Sequence, residues 1–306
     1  MTEKLVLVVK ISVPVVVAFF IGRMIYGNWL QIRSEPWRLD VASLALSFAL
    51  GATWHLARPW GWTRLIRGFG HDLPYWEVYR IYRKSEASRY VPGGIWQFAS
   101  RIYLTGRLGV GSATCLAATL LDMALAALAA MVPAAWLAGT AAGSLGTWQR
   151  TALLAFPLVA CALVHPKVLN SWAKPAAKLL KQPYRRLEIG ASQMLAIWSA
   201  YVVAATLLGL AMATLARALL PGIGREEFAY VAGCYALAWV AALLTMVAPA
   251  GMGVREGILG VLLAQTAAVG TAMALAVAMR LWAVCMELAW LGAGALMPKD
   301  GARPAA

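Results

Sequence analysis

Apolar runs of about 20 residues, the length a helix needs to cross the hydrocarbon of a bilayer, recur along this chain. They lie at residues 5–22, 40–57, 111–137, 150–165, 191–216, 228–248 and 271–297, with a shorter run at 256–270. The runs are continuous rather than alternating, and backbone amides must be paired within the segment in lipid, so each predicts a helix and not a barrel strand. The fold class is therefore all-α, a polytopic membrane protein with seven or eight transmembrane helices. The first run holds Lys10 and Pro14 and has no small-residue cleavage site, so it reads as a retained helix rather than a signal peptide. Lys10 lies close enough to its end to snorkel to the headgroups.

Composition agrees with this pattern: 61% of the 306 residues are hydrophobic and 13% are charged, far from the soluble average. The longest stretch outside the runs, 58–110, is short for an independent soluble domain. The chain reads as a single membrane-embedded domain over 1–306. A weak two-fold repeat of 1–165 and 190–297, joined by a basic segment at 166–190, is a candidate subdivision.

The formal charge of +14 would suggest nucleic acid in a soluble protein, but here its location argues for topology. Residues 58–110 hold nine Lys or Arg against three acids, and 166–190 hold six against one. The positive-inside rule makes both segments cytoplasmic, which places the N-terminus inside and the linkers 138–149 and 217–227 outside, in a cell inner (cytoplasmic) membrane. Arg23, Arg33 and Arg38 in the 23–39 connection run against this and are outweighed. Within 58–83, Trp60, Trp62, Tyr75, Trp76, Tyr79 and Tyr82 interleave with bases and read as interfacial amphipathic helix at headgroup level. Residues 174–188 read as a second, weaker one.

The four cysteines (Cys115, Cys161, Cys234 and Cys285) show no Cys-x-x-Cys pair and no neighbouring histidine cluster, so they read as packing residues rather than a metal site. His55, His71 and His165 are scattered and read as interfacial or capping side chains. No metal and no cofactor is indicated.

Two stretches interrupt the apolar pattern. In RYVPGGIWQFASR, residues 89–101, Pro92, Gly93 and Gly94 stop one helix and let another begin. The sequence that follows is too short and too charged to span, so it predicts a re-entrant helix, which is tolerated only where buried in protein or lining a wet cavity. Its N-terminus is a seat for an anion, flanked by Arg89 and Arg101. In APAGMGVREG, residues 248–257, Pro249, Gly251 and Gly253 end a helix and Arg255-Glu256 opens the next apolar run. Discontinuous helices in both halves of a chain are a sequence pointer to a transporter substrate site. The candidate substrate-binding residues are Arg89, Tyr90, Pro92, Gly93, Gly94, Trp96, Gln97, Arg101, Pro249, Gly251, Gly253, Arg255 and Glu256.

Three charges fall inside spanning runs: Asp122, Arg280 and Glu287. An ionisable residue at membrane depth is costly and a functional candidate by default. Arg280 and Glu287 lie seven apart on one face, about 11 Å from each other, too far to pair directly. Either a third group stands between them or Asp122 reaches Arg280; the three form a candidate intramembrane charge network facing the bundle interior. Gly253 with Gly257, and Gly139 with Gly143, offer small-residue spacing for close helix approach.

RYVPGGIWQ followed by SR, together with APAGMGVREG far downstream, resembles the lysylphosphatidylglycerol synthase transmembrane family, a flippase-like membrane domain. The resemblance covers most of the chain in motif order and helix count. It implies movement of a lipid with a polar headgroup between leaflets. Many members carry a basic residue where this chain has Gly94, so that contact would fall to Arg89 or Arg101.

The resulting expectation is a lipid translocase, moving an anionic phospholipid or a polyprenyl-phosphate-linked species through an intramembrane cavity, with Arg89, Arg101 and Arg255 neutralising phosphate. Its partners would be membrane lipids with phosphate headgroups, lipid-modifying or glycosyltransferase enzymes, and a second copy of itself. Two alternatives stand beside it. One is an intramembrane transferase acting on a lipid carrier, with Glu86, Glu256 or Asp122 as base; no paired carboxylates, nucleophile motif or nucleotide loop support it, so the chain reads as no enzyme. The other is a non-catalytic partner of a cell-envelope enzyme.

Overall fold

The computed structural model describes residues 19, 23, 26–27, 29–34, 37–91, 95–135, 147–171, 186–220, 223–245, 251 and 253–296. Among them every regular element is helical. The helices are α1 (Trp29–Ser34), α2 (Val41–Gly68), α3 (Tyr75–Ala87), α4 (Trp96–Gly106), α5 (Ser112–Ala134), α6 (Thr147–Leu163), α7 (Ala191–Leu219), α8 (Arg225–Thr245), α9 (Val254–Leu263) and α10 (Val269–Leu296). A 3-10 turn, Ser88–Tyr90, follows α3.

Among the described residues four helical segments are long and apolar enough to cross a membrane: Ser112–Ala134, Ala191–Leu219, Glu227–Leu244 and Val269–Leu296. Their outward faces carry Leu120, Val203, Leu244, Leu281 and Leu288, all exposed, whereas Asp122 and Arg280 are buried. Apolar groups outside with charge inside is the arrangement lipid selects. α6 has 17 residues, and in α2 the apolar run is diluted by Ser43, Ser47, Thr53, His55 and Arg58. α9 has 10 residues, about 15 Å of helix, which is too short to span. The expected first run, 5–22, lies outside the described residues apart from Phe19.

α7 packs most extensively on α2 and also against α5 and α8, while α8 leads through α9 to α10. α3 and α4 lie against each other, with α3 also against α10 and α4 against α5. Trp62, Tyr82, Tyr201, Leu65, Leu125, Met194, Met212, Leu259 and Met279 fill the fully buried centre. Gly209 lets α7 approach α8 so closely that an added Cβ would sit 3.1 Å from the carbonyl oxygen of Ala232. Gly253 and Gly257 do not serve such an approach, since nothing lies within 4 Å of where their Cβ atoms would be; Gly139 and Gly143 lie outside the described residues.

The apolar run expected to end at residue 57 continues as one helix through Pro59 to Gly68. Proline lacks the N–H that would satisfy the carbonyl one turn earlier, and that carbonyl, His55 O, is taken instead by Arg83 Nη2 at 2.8 Å. A tertiary donor thus replaces the missing helical one, which is how proline survives within buried helices. The aromatics expected at headgroup level divide accordingly. Trp76 is exposed, but Trp62, Tyr79 and Tyr82 are fully buried, because α3 is covered by α2, α4 and α10 rather than lying flat on lipid. Cys161 and Cys285 are exposed, whereas Cys115 and Cys234 pack inside.

Candidate functional site

α2, α3, α5, α7, α8 and α10 surround a cavity of about 140 Å³, and the segments beside both helix breaks reach its wall. The first break contributes Arg89 and Gln97, on either side of it, and the second contributes Gly251 and Arg255. α2 adds Trp54, His55 and Arg58, α3 adds Glu86, and α8 adds Tyr235 and Trp239. Trp282 and Glu287 complete the wall from α10. Of the residues singled out at the breaks, Pro92, Gly93, Gly94 and Pro249 lie outside the described residues.

The charges around the cavity form distinct groups. Asp122 accepts from Arg58 twice, from Nη2 at 2.5 Å and from Nε at 3.2 Å. The same carboxylate accepts from the hydroxyls of Tyr82, at 2.8 Å, and of Tyr201. Both oxygens of a carboxylate that is fully buried are therefore satisfied, as a charge in a low dielectric requires. The expectation that Asp122 reaches Arg280 is corrected: its partner comes from α2, which packs directly on α5.

Glu287 is held by Arg89 and by the hydroxyl of Tyr90, the latter at 2.6 Å. This pairing ties the 3-10 turn to α10 across 198 positions of sequence. Arg83 holds Glu86 at 2.8 Å and places Nη1 2.8 Å from His55 Nδ1. Because an arginine only donates, His55 Nδ1 is the acceptor and the ring carries its proton on Nε2. Burial works against the charge on Glu86, but the guanidinium groups of Arg83 and Arg89 outweigh it and hold the carboxyl down at about 2.

Glu256 stands between two arginines. Its Oε1 lies 3.7 Å from Arg255 Nε and 3.6 Å from Arg280 Nε, and its Oε2 accepts the N–H of Gly253 at 2.7 Å. Gly253 has φ +83°, a conformation glycine adopts without a side-chain clash, and this turn aims its amide at the carboxylate. The start of α9 is thus capped by its own Glu256, so the Gly253 amide is not offered to a ligand. Arg255 lines the cavity, with Nη1 3.5 Å from the Tyr235 hydroxyl, and its buried Nη2 has no hydrogen-bond partner among the described residues.

Five of the candidate substrate-binding residues do not line the cavity: Tyr90, Trp96, Arg101, Gly253 and Glu256. Arg101 is buried under the Tyr82 ring, 3.9 Å from its centroid, with Nε donating to Ser85 Oγ at 2.9 Å. Tyr90 acts through Glu287, and Trp96 sits half-buried at the start of α4. Sequence reasoning missed Arg58, Arg83 and His55 as site residues. The signal was present, since His55 and Arg58 stand three apart at the end of an apolar run, and an ionisable group in such a run is a functional candidate. The sequence matches no protein-family model, no curated protein and no solved structure.

Proposed function

We propose that this chain is a lipid translocase, in which a phosphate-bearing headgroup passes through the cavity while its tails remain in the bilayer. The observation that carries this reading is that the residues flanking both helix breaks, Arg89 with Gln97 and Gly251 with Arg255, line one arginine-bearing cavity inside a bundle with four helices able to cross a membrane. Guanidinium groups suit phosphate because their planar fork pairs two oxygens and is weakly hydrated. The aromatic wall of Trp54, Tyr235, Trp239 and Trp282 gives the glycerol or prenyl end of the lipid an apolar surface. This reading takes α2, α6 and the N-terminal run as further crossings of a seven- or eight-helix domain in a cytoplasmic membrane with the N-terminus inside. α3–α4 and α9 then enter from the cytoplasmic side as broken, re-entrant elements. The resemblance of the two broken motifs to the lysylphosphatidylglycerol synthase transmembrane family points the same way.

The test is reconstitution into liposomes holding a fluorescent phosphatidylglycerol that dithionite quenches only in the outer leaflet. Wild-type protein is expected to expose the inner-leaflet pool, and a variant with Arg255→Ala and Glu256→Ala, checked for monodispersity, to lose that activity. Movement indistinguishable from protein-free liposomes contradicts the reading. A chemically altered lipid would favour an intramembrane transferase instead, and a tightly retained protein partner with no lipid movement would favour an envelope-enzyme subunit.

A further inference from the structure

The charges in the cavity wall are unevenly committed. Two carboxylates face the cavity, Glu86 and Glu287, and each already has its own arginine: Arg83 for the first, Arg89 together with the Tyr90 hydroxyl for the second. Arg58 is likewise neutralised by Asp122 behind the wall. Arg255 differs. Among the described residues its nearest carboxylate is Glu256, at 3.7 Å and without a hydrogen bond, and that same oxygen lies 3.6 Å from Arg280. Nη2 of Arg255, in a side chain 8% exposed, has no hydrogen-bond partner among the described residues. A buried N–H of a charged group left without an acceptor is costly, and the cavity is where an acceptor can enter.

We infer that the headgroup taken by this cavity is an anion without an ammonium group, such as a glycerol phosphodiester or a prenyl phosphate, received at the Arg255 guanidinium. The inference rests on the translocase reading and narrows its substrate. An oxyanion gives Arg255 an acceptor and adds negative charge beside the carboxylate it shares with Arg280. An ammonium has no corresponding place. To meet Glu86 or Glu287 it must share a carboxylate that Arg83 or Arg89 already holds, which sets a second cation beside a guanidinium and leaves both less than fully compensated. A zwitterionic headgroup gains at its phosphate and loses at its amine, while an aminoacylated one carries the amine with a net positive charge into a wall that already has an arginine in surplus.

The test is native mass spectrometry of the full chain with three synthetic lipids of identical acyl chains: phosphatidylglycerol, phosphatidylethanolamine and lysyl-phosphatidylglycerol. Wild-type protein is expected to retain phosphatidylglycerol about tenfold or more over the other two, the scale of one charge-assisted hydrogen bond. Arg255→Gln is expected to bring the three to near parity, and if that variant does not fold, the wild-type ranking alone decides. Equal or stronger retention of lysyl-phosphatidylglycerol or phosphatidylethanolamine overturns the inference, and it leaves the translocase reading standing if phosphatidylglycerol still moves in liposomes. Retention of no lipid, with no movement, removes both.

Discussion

The carbonyl of His55, deprived of its helical donor by Pro59, accepts a hydrogen bond from Arg83 Nη2 at 2.8 Å. Arg83 thereby joins α3 to α2 at the edge of the cavity, and the same guanidinium orients Glu86 and the His55 ring. Removing Arg83 strands a carbonyl and a carboxylate together. Arg83→Met is expected to cost about 3–5 kcal/mol, the range for breaking a buried ion pair. Pro59→Ala supplies an amide that can retake the His55 carbonyl, so it should recover about 1–3 kcal/mol of that loss. Detergent thermal melts of the two single variants and the double variant measure this rescue, and strictly additive effects would show that the carbonyl is not the link.

Arg58 and Asp122 form a deeply buried ion pair, with side chains 7% and 0% exposed. Either Arg58→Met or Asp122→Leu alone leaves a bare charge in the core and should destabilise by about 3–5 kcal/mol. The double variant should be closer to wild type than the sum of the two, because an apolar pair replaces an ionic one. A double-mutant cycle on unfolding free energies reads this coupling.

Gly61 and Gly257 predict opposite results for the same substitution. A Cβ at Gly61 would overlap the Tyr201 ring, whose hydroxyl bonds Asp122, so Gly61→Ala should destabilise by about 1–3 kcal/mol as overpacking does. Nothing stands within 4 Å of a Cβ at Gly257, which lies within α9. Gly257→Ala should stabilise by up to about 1 kcal/mol through helix propensity.

Glu86 gives a pH dependence with a definite sign. Its carboxyl is held at about 2 in the folded protein, below the ordinary value of 4.5, so its contribution to stability is fully present above the unfolded value and is lost as pH falls through the folded one. Comparing wild type with Glu86→Gln, the stability difference should be constant from pH 7 to about 5 and should shrink on further acidification. A difference that already changes between pH 7 and 6 would contradict the assignment.

Periodicity and composition made the helical class readable because spanning runs are long and need no knowledge of partners. The two breaks rest on local signals, Pro92-Gly93-Gly94, which lie outside the described residues, and Gly251 with Gly253; the arginines beside them, Arg89 and Arg255, line the cavity. Partner choice was not readable. Asp122 could be assigned to a buried face, but whether it met Arg280 or Arg58 depends on which helices pack against α5, a property of the bundle. Arg58 and Arg83 were counted as topology-setting charge because a sequence records where a charge lies along the chain, not that Tyr82, Tyr201 or a proline-freed carbonyl will surround it. Gly253 was a candidate substrate-binding residue, yet Glu256, three residues on, closes on its amide first.

The central claim is that the residues beside two helix breaks form one cavity that receives a lipid phosphate. An experimental density map of the protein in a nanodisc of phosphatidylglycerol tests it most directly. The account predicts phosphate density about 3 Å from the Arg255 guanidinium, the distance of a charge-assisted hydrogen bond, with acyl density leading out of the cavity. Water alone at Arg255, with every phosphate confined to the headgroup layers, would contradict it.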